Sequence, residues 1–267
     1  MNLEYVLDRS EFVALAALMR ADAIIGIDPA QLLPATPAER QAMFVTGEDS
    51  LIARKLARQT EAGQIQFESA LLGIARALTQ PQRVVIAIRA IPGRGQQLFL
   101  YYARYDARDG AWVEQTFPDS RTHRLAEVGS SDALLERLLE MFDFPLSVGD
   151  GQDFQMDTAG FVTLVSAVRA GEVPDAASVG ATDPEALDSL VGAYAYGPVN
   201  GSIAMLPIRE GRAMEALEIA LARGQAESWM IAADGDSIGK ARAFRADRES
   251  LSGALGAMLQ ALEQVGE

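Results

Sequence analysis

The sequence predicts an α+β protein built from two tandem, diverged copies of one helix–antiparallel meander–helix unit, arranged with quasi-two-fold symmetry about a central antiparallel sheet. Three observations predict it. First, Asp8, Phe12, Val13, Leu15, Arg20 and Ala21 match Asp157, Phe161, Val162, Leu164, Arg169 and Ala170 at one constant offset. Second, a longer block matches without a gap at a shorter offset. It pairs Ile86, Ala87, Ile91, Leu100, Ala103, Leu134, Leu138 and Met141 with Ile203, Ala204, Ile208, Leu217, Ala220, Leu251, Leu255 and Met258. Third, that block aligns Trp112 with Trp229, and these are the 2 tryptophans of the chain. The offsets differ because the first copy holds a longer connection around residues 26 to 66. The two units divide as residues 1–148 and 149–267, with Ser147 to Gln155 as the boundary.

Each unit opens with a helix, Arg9 to Ile24 in the first and Thr158 to Val173 in the second. Apolar residues recur there at helical spacing behind an Asp placed to cap. In the first unit Pro29, Pro34 and Pro37 break the chain, and a polar helix follows from Pro37 to about Ala62. A helix over Phe67 to Leu78 corresponds to one over Asp183 to Ala195, where Asp183 followed by Pro184 is a strong start signal. Strands come next: Arg83 to Ala90, Gln97 to Tyr105, Ala111 to Phe117 and Arg121 to Val128. Pro92-Gly93-Arg94-Gly95 and Asp109-Gly110 supply turns. Ser130 caps a helix over Ser131 to Phe142. In the second unit Met214 to Arg223 favours a helix by propensity. Its repeat partner is a strand, however, and Leu217, Ile219 and Leu221 alternate, so we assign a strand. Asp247 caps the last helix, Arg248 to Gln264. The two meanders can join edge to edge or pack face to face, and an edge junction would hide two of four sheet edges.

Composition narrows the chemistry. The 267 residues carry a formal net charge of −14, which argues against a sequence-independent grip on nucleic acid or on anionic membrane. With 0 cysteines, disulfides, thiolate catalysis and Cys-based metal sites are excluded. No apolar run approaches the roughly 18 residues that cross a bilayer. The first residues carry Glu4 and Asp8 and lack a secretory pattern, so the expected location is cytoplasmic.

Motifs with catalytic overtones are weak. His123 is the 1 histidine, sits between arginines and lacks a nucleophile motif, so an exposed strand histidine is expected. Gly235 to Lys240 has the wrong spacing for a phosphate loop and reads as a hairpin turn. Asp150, Asp153 and Asp157 lack the register of a calcium loop and read as an acidic linker. Glu136, Glu140 and Asp143 follow one side of a helix and read as a solvated face. On Gln97 to Tyr105, alternation puts Phe99 and Tyr101 on one face and Leu98, Leu100 and Tyr102 on the other. Both faces of that strand are therefore expected to be covered, by the protein's own helices or by a partner chain.

These residues resemble the EspG proteins, the cytosolic specificity chaperones of type VII secretion. The helix Glu11 to Arg20 precedes Leu32-Leu33-Pro34-Ala35-Thr36-Pro37. The run Leu71-Leu72-Gly73-Ile74-Ala75-Arg76-Ala77-Leu78-Thr79-Gln80-Pro81 then leads into the strand Val84 to Ile88. Trp229 and Arg245-Ala246-Asp247 stand where the family has Trp and Pro-Ala-Asp, with Arg245 departing from that Pro. The resemblance implies a quasi-two-fold fold and a non-enzymatic chaperone, without cofactor or metal, that holds a helical secreted protein and shields its apolar tip. The partner-binding residues expected on that basis are Arg94, Phe99, Tyr101 and Tyr102 of the hairpin, with Leu251, Leu255 and Met258 of the last helix. The alternative is a small-ligand sensor with a pocket between the two repeats.

Overall fold

The computed structural model describes residues 3–91, 93–104, 111–146, 153–170, 176–225, 227–233 and 239–264. The chain enters through a short strand, β1 (Glu4–Asp8), whose last residue caps helix α1 (Arg9–Leu18). Asp8 accepts from the Glu11 amide at 2.9 Å, and the Glu11 carboxylate accepts from the Asp8 amide at 3.0 Å, a reciprocal capping box. The helix ends well before Ile24, because Arg20 turns left-handed at φ 57°.

The long connection folds into a short helix α2 (Pro29–Leu32), helix α3 (Pro37–Ala53) and a separate hairpin of β2 (Ala57–Gln59) and β3 (Ile65–Phe67). The polar helix thus stops short of Ala62, where Lys55 at φ 62° redirects the chain. Helix α3 lies directly on α1: a Cβ on Gly47 would stand 2.0 Å from the Ser10 carbonyl oxygen. The buried Glu11 is met there by Ser50 at 2.7 Å and Arg54 at 2.6 Å.

Helix α4 (Ser69–Thr79) then feeds the meander β4 (Arg83–Ile91), β5 (Gly95–Ala103), β6 (Trp112–Asp119) and β7 (Thr122–Gly129), closed by α5 (Ser131–Phe142). The second half repeats this order. It runs β8 (Phe154–Asp157), α6 (Thr158–Ala170), α7 (Ala176–Val179), α8 (Pro184–Tyr196), β9 (Val199–Arg209), β10 (Arg212–Ala213), β11 (Leu217–Arg223), β12 (Ser228–Ala233), β13 (Lys240–Arg245) and α9 (Arg248–Gln264). Asp183 caps α8 ahead of Pro184, accepting from the Ala186 amide at 3.1 Å. Asp247 caps α9, accepting from the Ser250 amide at 2.8 Å. The helix-like segment from Met214 contains the strand β11, held on both sides by pairing to β9 and β12.

Among the described residues the meanders join edge to edge in one 11-stranded sheet, ordered β1-β7-β6-β5-β4-β9-β11-β12-β13-β8, with β10 paired to β9. The sheet order is thus mirrored about the β4–β9 junction, which pairs Arg83 with Pro207 through Ala90 with Asn200. One face is covered by α5 and α9, whose Leu134, Leu138, Leu251 and Leu255 pack with Val85, Ala87, Ile203 and Met205. The opposite face carries two cores, one under α1 and α4 and one under α8.

Two sequence expectations need correction. Edge strands β1 and β8 were not foreseen, and β8 occupies part of the stretch read as an acidic linker. Residues 147–152 of that stretch lie outside the described residues. The tryptophans are also not equivalent. Trp112 packs on the α5–α9 face and donates to Ser131 at 3.2 Å, whereas Trp229 packs on the opposite face and donates to Ser189 of α8 at 3.3 Å. A slip of one residue reverses every side chain of a strand, so the ungapped alignment is out of register here. In the helical block Leu15 and Leu164 are both fully buried, whereas Val13 is buried and its counterpart Val162 is exposed.

The junction has one steric requirement. Gly201 lies opposite Arg89, and a Cβ there would stand 1.8 Å from the Ile88 carbonyl oxygen and 3.1 Å from the Phe142 ring. Backbone cannot yield as a flexible side chain can, so Gly201→Ala should destabilise the protein by roughly 1–3 kcal/mol. Equilibrium urea unfolding should show this as a lower midpoint.

Candidate partner-binding cleft

Strands β5 and β6 pair only from Phe99 with Thr116 to Ala103 with Trp112. Beyond that point β5 stays with β4, out to Gly95 opposite Ile91. Strand β6 follows β7 instead, through a register shift between Thr116 and Asp119. Pro118 sits within the shift and has no amide proton to offer β5. The strands splay, and a cavity of ≈ 1170 Å³ opens between them. Side chains from both sheet faces line it. Phe99, Tyr101 and Met141 come from the α5 side, and Ile27, Leu98 and Phe117 from the α1 side.

The paired stretch at the base of the cleft carries a polar network on each face. On the α5 side Glu114 is buried and bidentate to Arg137, at 2.8 and 2.7 Å, and it accepts from the Tyr101 hydroxyl at 3.0 Å. Arg124 approaches the same carboxylate at 3.8 Å and is itself bidentate to Glu4 of β1, both contacts at 2.8 Å. Burial, then the Glu114 charge, keeps the Tyr101 hydroxyl protonated far above the usual phenol range. On the α1 side the Tyr102 hydroxyl lies 2.9 Å from the Ile25 carbonyl oxygen and 3.1 Å from Gln115 Oε1. The Gln115 amide nitrogen meets His123 Nδ1 at 2.9 Å.

His123 is therefore buried and not exposed as the sequence suggested. Its ring stacks on Phe12 at 4.0 Å between centroids, because α1 crosses this part of the sheet. Burial first, and the Arg9 charge second, push its pKa down to about 4. It thus stays neutral at pH 7.

The seven expected partner-binding residues are scattered. Tyr101, Tyr102, Leu251 and Leu255 are fully buried and belong to the cores. A strand covered by the protein's own helices cannot also offer those side chains to a partner. Met258 is half-buried on α9, Phe99 lines the cleft, and Arg94 is exposed at the hairpin tip. The acidic residues of α5 are not a plain solvated face either. Glu136 pairs with Arg248 at 2.8 Å and Asp143 with Arg223 at 2.5 Å, tying the two halves together, while Glu140 lines the cleft. Asp153 and Asp157 pair with Arg242 and Lys240. Of the stretch read as a hairpin turn, residues 235–238 lie outside the described residues. Among those described, no group of three or more His, Cys, Asp or Glu is placed to hold a metal.

Sequence reasoning missed the networks at Glu114 and Gln115. The available signal was a Glu-Gln pair in the middle of a strand adjacent to one that should be covered on both faces. A second depression, ≈ 1090 Å³, lies between the halves and is lined by Arg20, Gln82, Arg104, Arg209, Arg212 and Met214.

No family model matches the chain, and no curated protein matches it in sequence. Its fold is that of the Mycobacterium tuberculosis type VII secretion system chaperone EspG5, solved in complex with the PE25–PPE41 dimer. The two superpose with a TM-score of 0.68 over 96% of each chain, at 9% sequence identity. No helix among the described residues is long and apolar enough to cross a membrane.

Two measurements test the networks. Glu114→Gln weakens a charge-assisted pair and disturbs the acceptor of a buried tyrosine, and should cost about 1.5–3 kcal/mol by urea unfolding at pH 7. For His123 the unfolded state takes up a proton near pH 6.5, while the folded state resists until about pH 4. Stability should therefore fall as pH drops through that window, by up to roughly 1.4 kcal/mol per unit from this group. His123→Leu should flatten that decline, whatever it costs at pH 7.

Proposed function

We propose that this chain is a protein-binding chaperone or adaptor that holds a helical secreted protein in the cytoplasm and has no catalytic role. The observation that carries the reading is the end-to-end likeness to EspG5, a secretion chaperone solved with a protein dimer. At 9% identity that likeness transmits the architecture and not the contact residues. The histidine supports the reading: it is neutral, and its hydrogen-bond partner among the described residues is an amide.

The expected side chains still open to a partner here are Arg94 at the tip of the β4–β5 hairpin and Phe99 in the cleft behind it. Of the three residues expected on the last helix, Met258 is the one left partly accessible. Leu251 and Leu255 would act only indirectly, by holding α9 against the sheet.

The test is co-expression with helical proteins encoded beside its gene, followed by size-exclusion chromatography with light scattering. A stoichiometric complex, weakened at least about tenfold by Arg94→Glu together with Phe99→Ser, is the expected result. Elution of the chain alone in every combination would overturn the reading. A second reading, a small-ligand sensor, is favoured by the arginines lining the depression between the halves. It predicts a raised melting temperature with a small anionic ligand, lost in Arg20→Ala with Arg212→Ala.

A further inference from the structure

The gap between β5 and β6 has properties that a helical partner does not explain. In a continuous sheet both edges of an internal strand are paired. Here residues 95–98 of β5 pair with β4 on one side and, among the described residues, with no strand on the other. Their outward N–H and C=O groups form a short open edge inside the sheet, where an extended chain can add as a strand. The outer edge of β1 differs, since the Val6 carbonyl already accepts from Arg54 at 3.1 Å. Strand β6 competes poorly for the gap, because Pro118 lacks a donor.

The charge of the cleft is unusual for this protein. The molecule carries −14 overall, yet five arginines line the cavity against three carboxylates. Most of these charges are already matched. Arg137 and Arg124 are held by Glu114 and Glu4, and the Arg9 side chain donates to the Leu32 carbonyl at 2.7 Å. Arg89 is different. It stands on β4 opposite Gln97, and its Nε is buried without a hydrogen-bond partner among the described residues. A buried guanidinium nitrogen without an acceptor is costly, and a carboxylate matches its fork geometry. The walls suit alternating side chains, with Phe99 and Met141 on one face and Leu98 and Phe117 on the other.

We infer that this cleft binds an extended peptide segment carrying a carboxylate, which pairs as a strand with residues 95–98 and sets its carboxylate on Arg89. The partner chemistry is that of an acidic, strand-forming tail or linker. The cleft shares Phe99 with the surface offered to a helical partner, but the open edge and Arg89 belong to the peptide site alone.

The test uses the purified full chain and an array of hexapeptides alternating Val or Thr with Asp. Each is presented beside its Asp→Asn counterpart and a counterpart N-methylated at alternate residues. Acidic members should bind, with both counterparts weaker by about tenfold or more. Arg89→Met should weaken the best binder to a similar degree while its melting temperature stays near the parent's, and hydrogen exchange at residues 95–98 should slow on binding. Glutarate alone should not reproduce that protection. Equal binding of the N-methylated peptides would overturn strand pairing, and parental affinity in Arg89→Met would overturn the carboxylate contact. An array in which no acidic member exceeds its amide counterpart would overturn the site. None of these results touches complex formation with a helical protein, so the two readings fail separately.

Discussion

The structure depends on the antiparallel pairing of β4 with β9. Each meander alone would end in a long strand with an open backbone edge and an apolar face too wide for its own closing helix. Pairing Arg83 with Pro207 through Ala90 with Asn200 removes both edges and aligns two half-faces into one. Helices α5 and α9 then lie side by side over a common core that neither half could complete. Polar contacts fix them there: Ser131 to Glu263 at 2.6 Å, Glu136 to Arg248, and Arg83 of β4 to Glu263 at 3.3 Å. On the other face two cores lie side by side, and Ile208 of β9 reaches into the one under α1 and α4, so the second half contributes to both faces of the junction.

The interruption of the sheet follows from the same geometry. Strand β5 is committed to β4, which the junction holds straight, while β6 is drawn toward β7 and β1 by the network from Glu114 through Arg124 to Glu4. Something between β5 and β6 has to open, and it opens where Pro118 cannot donate. The buried networks and the open cleft therefore lie on the same two strands. The buried tyrosines at the base keep the strands together, and residues 95–98 remain paired to β4 but not to β6.

Much of the architecture was legible because the relevant signals are local. Asp183 before Pro184, Ser130 before its helix and Asp247 before the last helix are caps whose chemistry does not depend on the rest of the fold. The β11 segment was read against its helix propensity, because its partner in the first half is plainly a strand and its apolar residues alternate. Register was not legible. Apolar residues match easily across Ala- and Leu-rich segments, and one unnoticed bulge or insertion puts Trp229 on the wrong face. The edge strands β1 and β8 escaped for a different reason: at 5 and 4 residues they are too short to show a period. The candidate cleft was legible least. Aromatic residues on a central strand signal burial as strongly as they signal a contact surface, so Tyr101 and Tyr102 looked available when they are core. Arg89 and the cleft depend on where two strands part, which no local pattern records.

Native-state hydrogen exchange on the free chain tests the central claim, that the β4–β9 pairing makes the two halves one cooperative unit. Amides of residues 84–90 and 200–206 should exchange with one common opening free energy equal to that of global unfolding, across both halves. Exchange of one half at a free energy well below the other, with the junction amides following the weaker half, would contradict it.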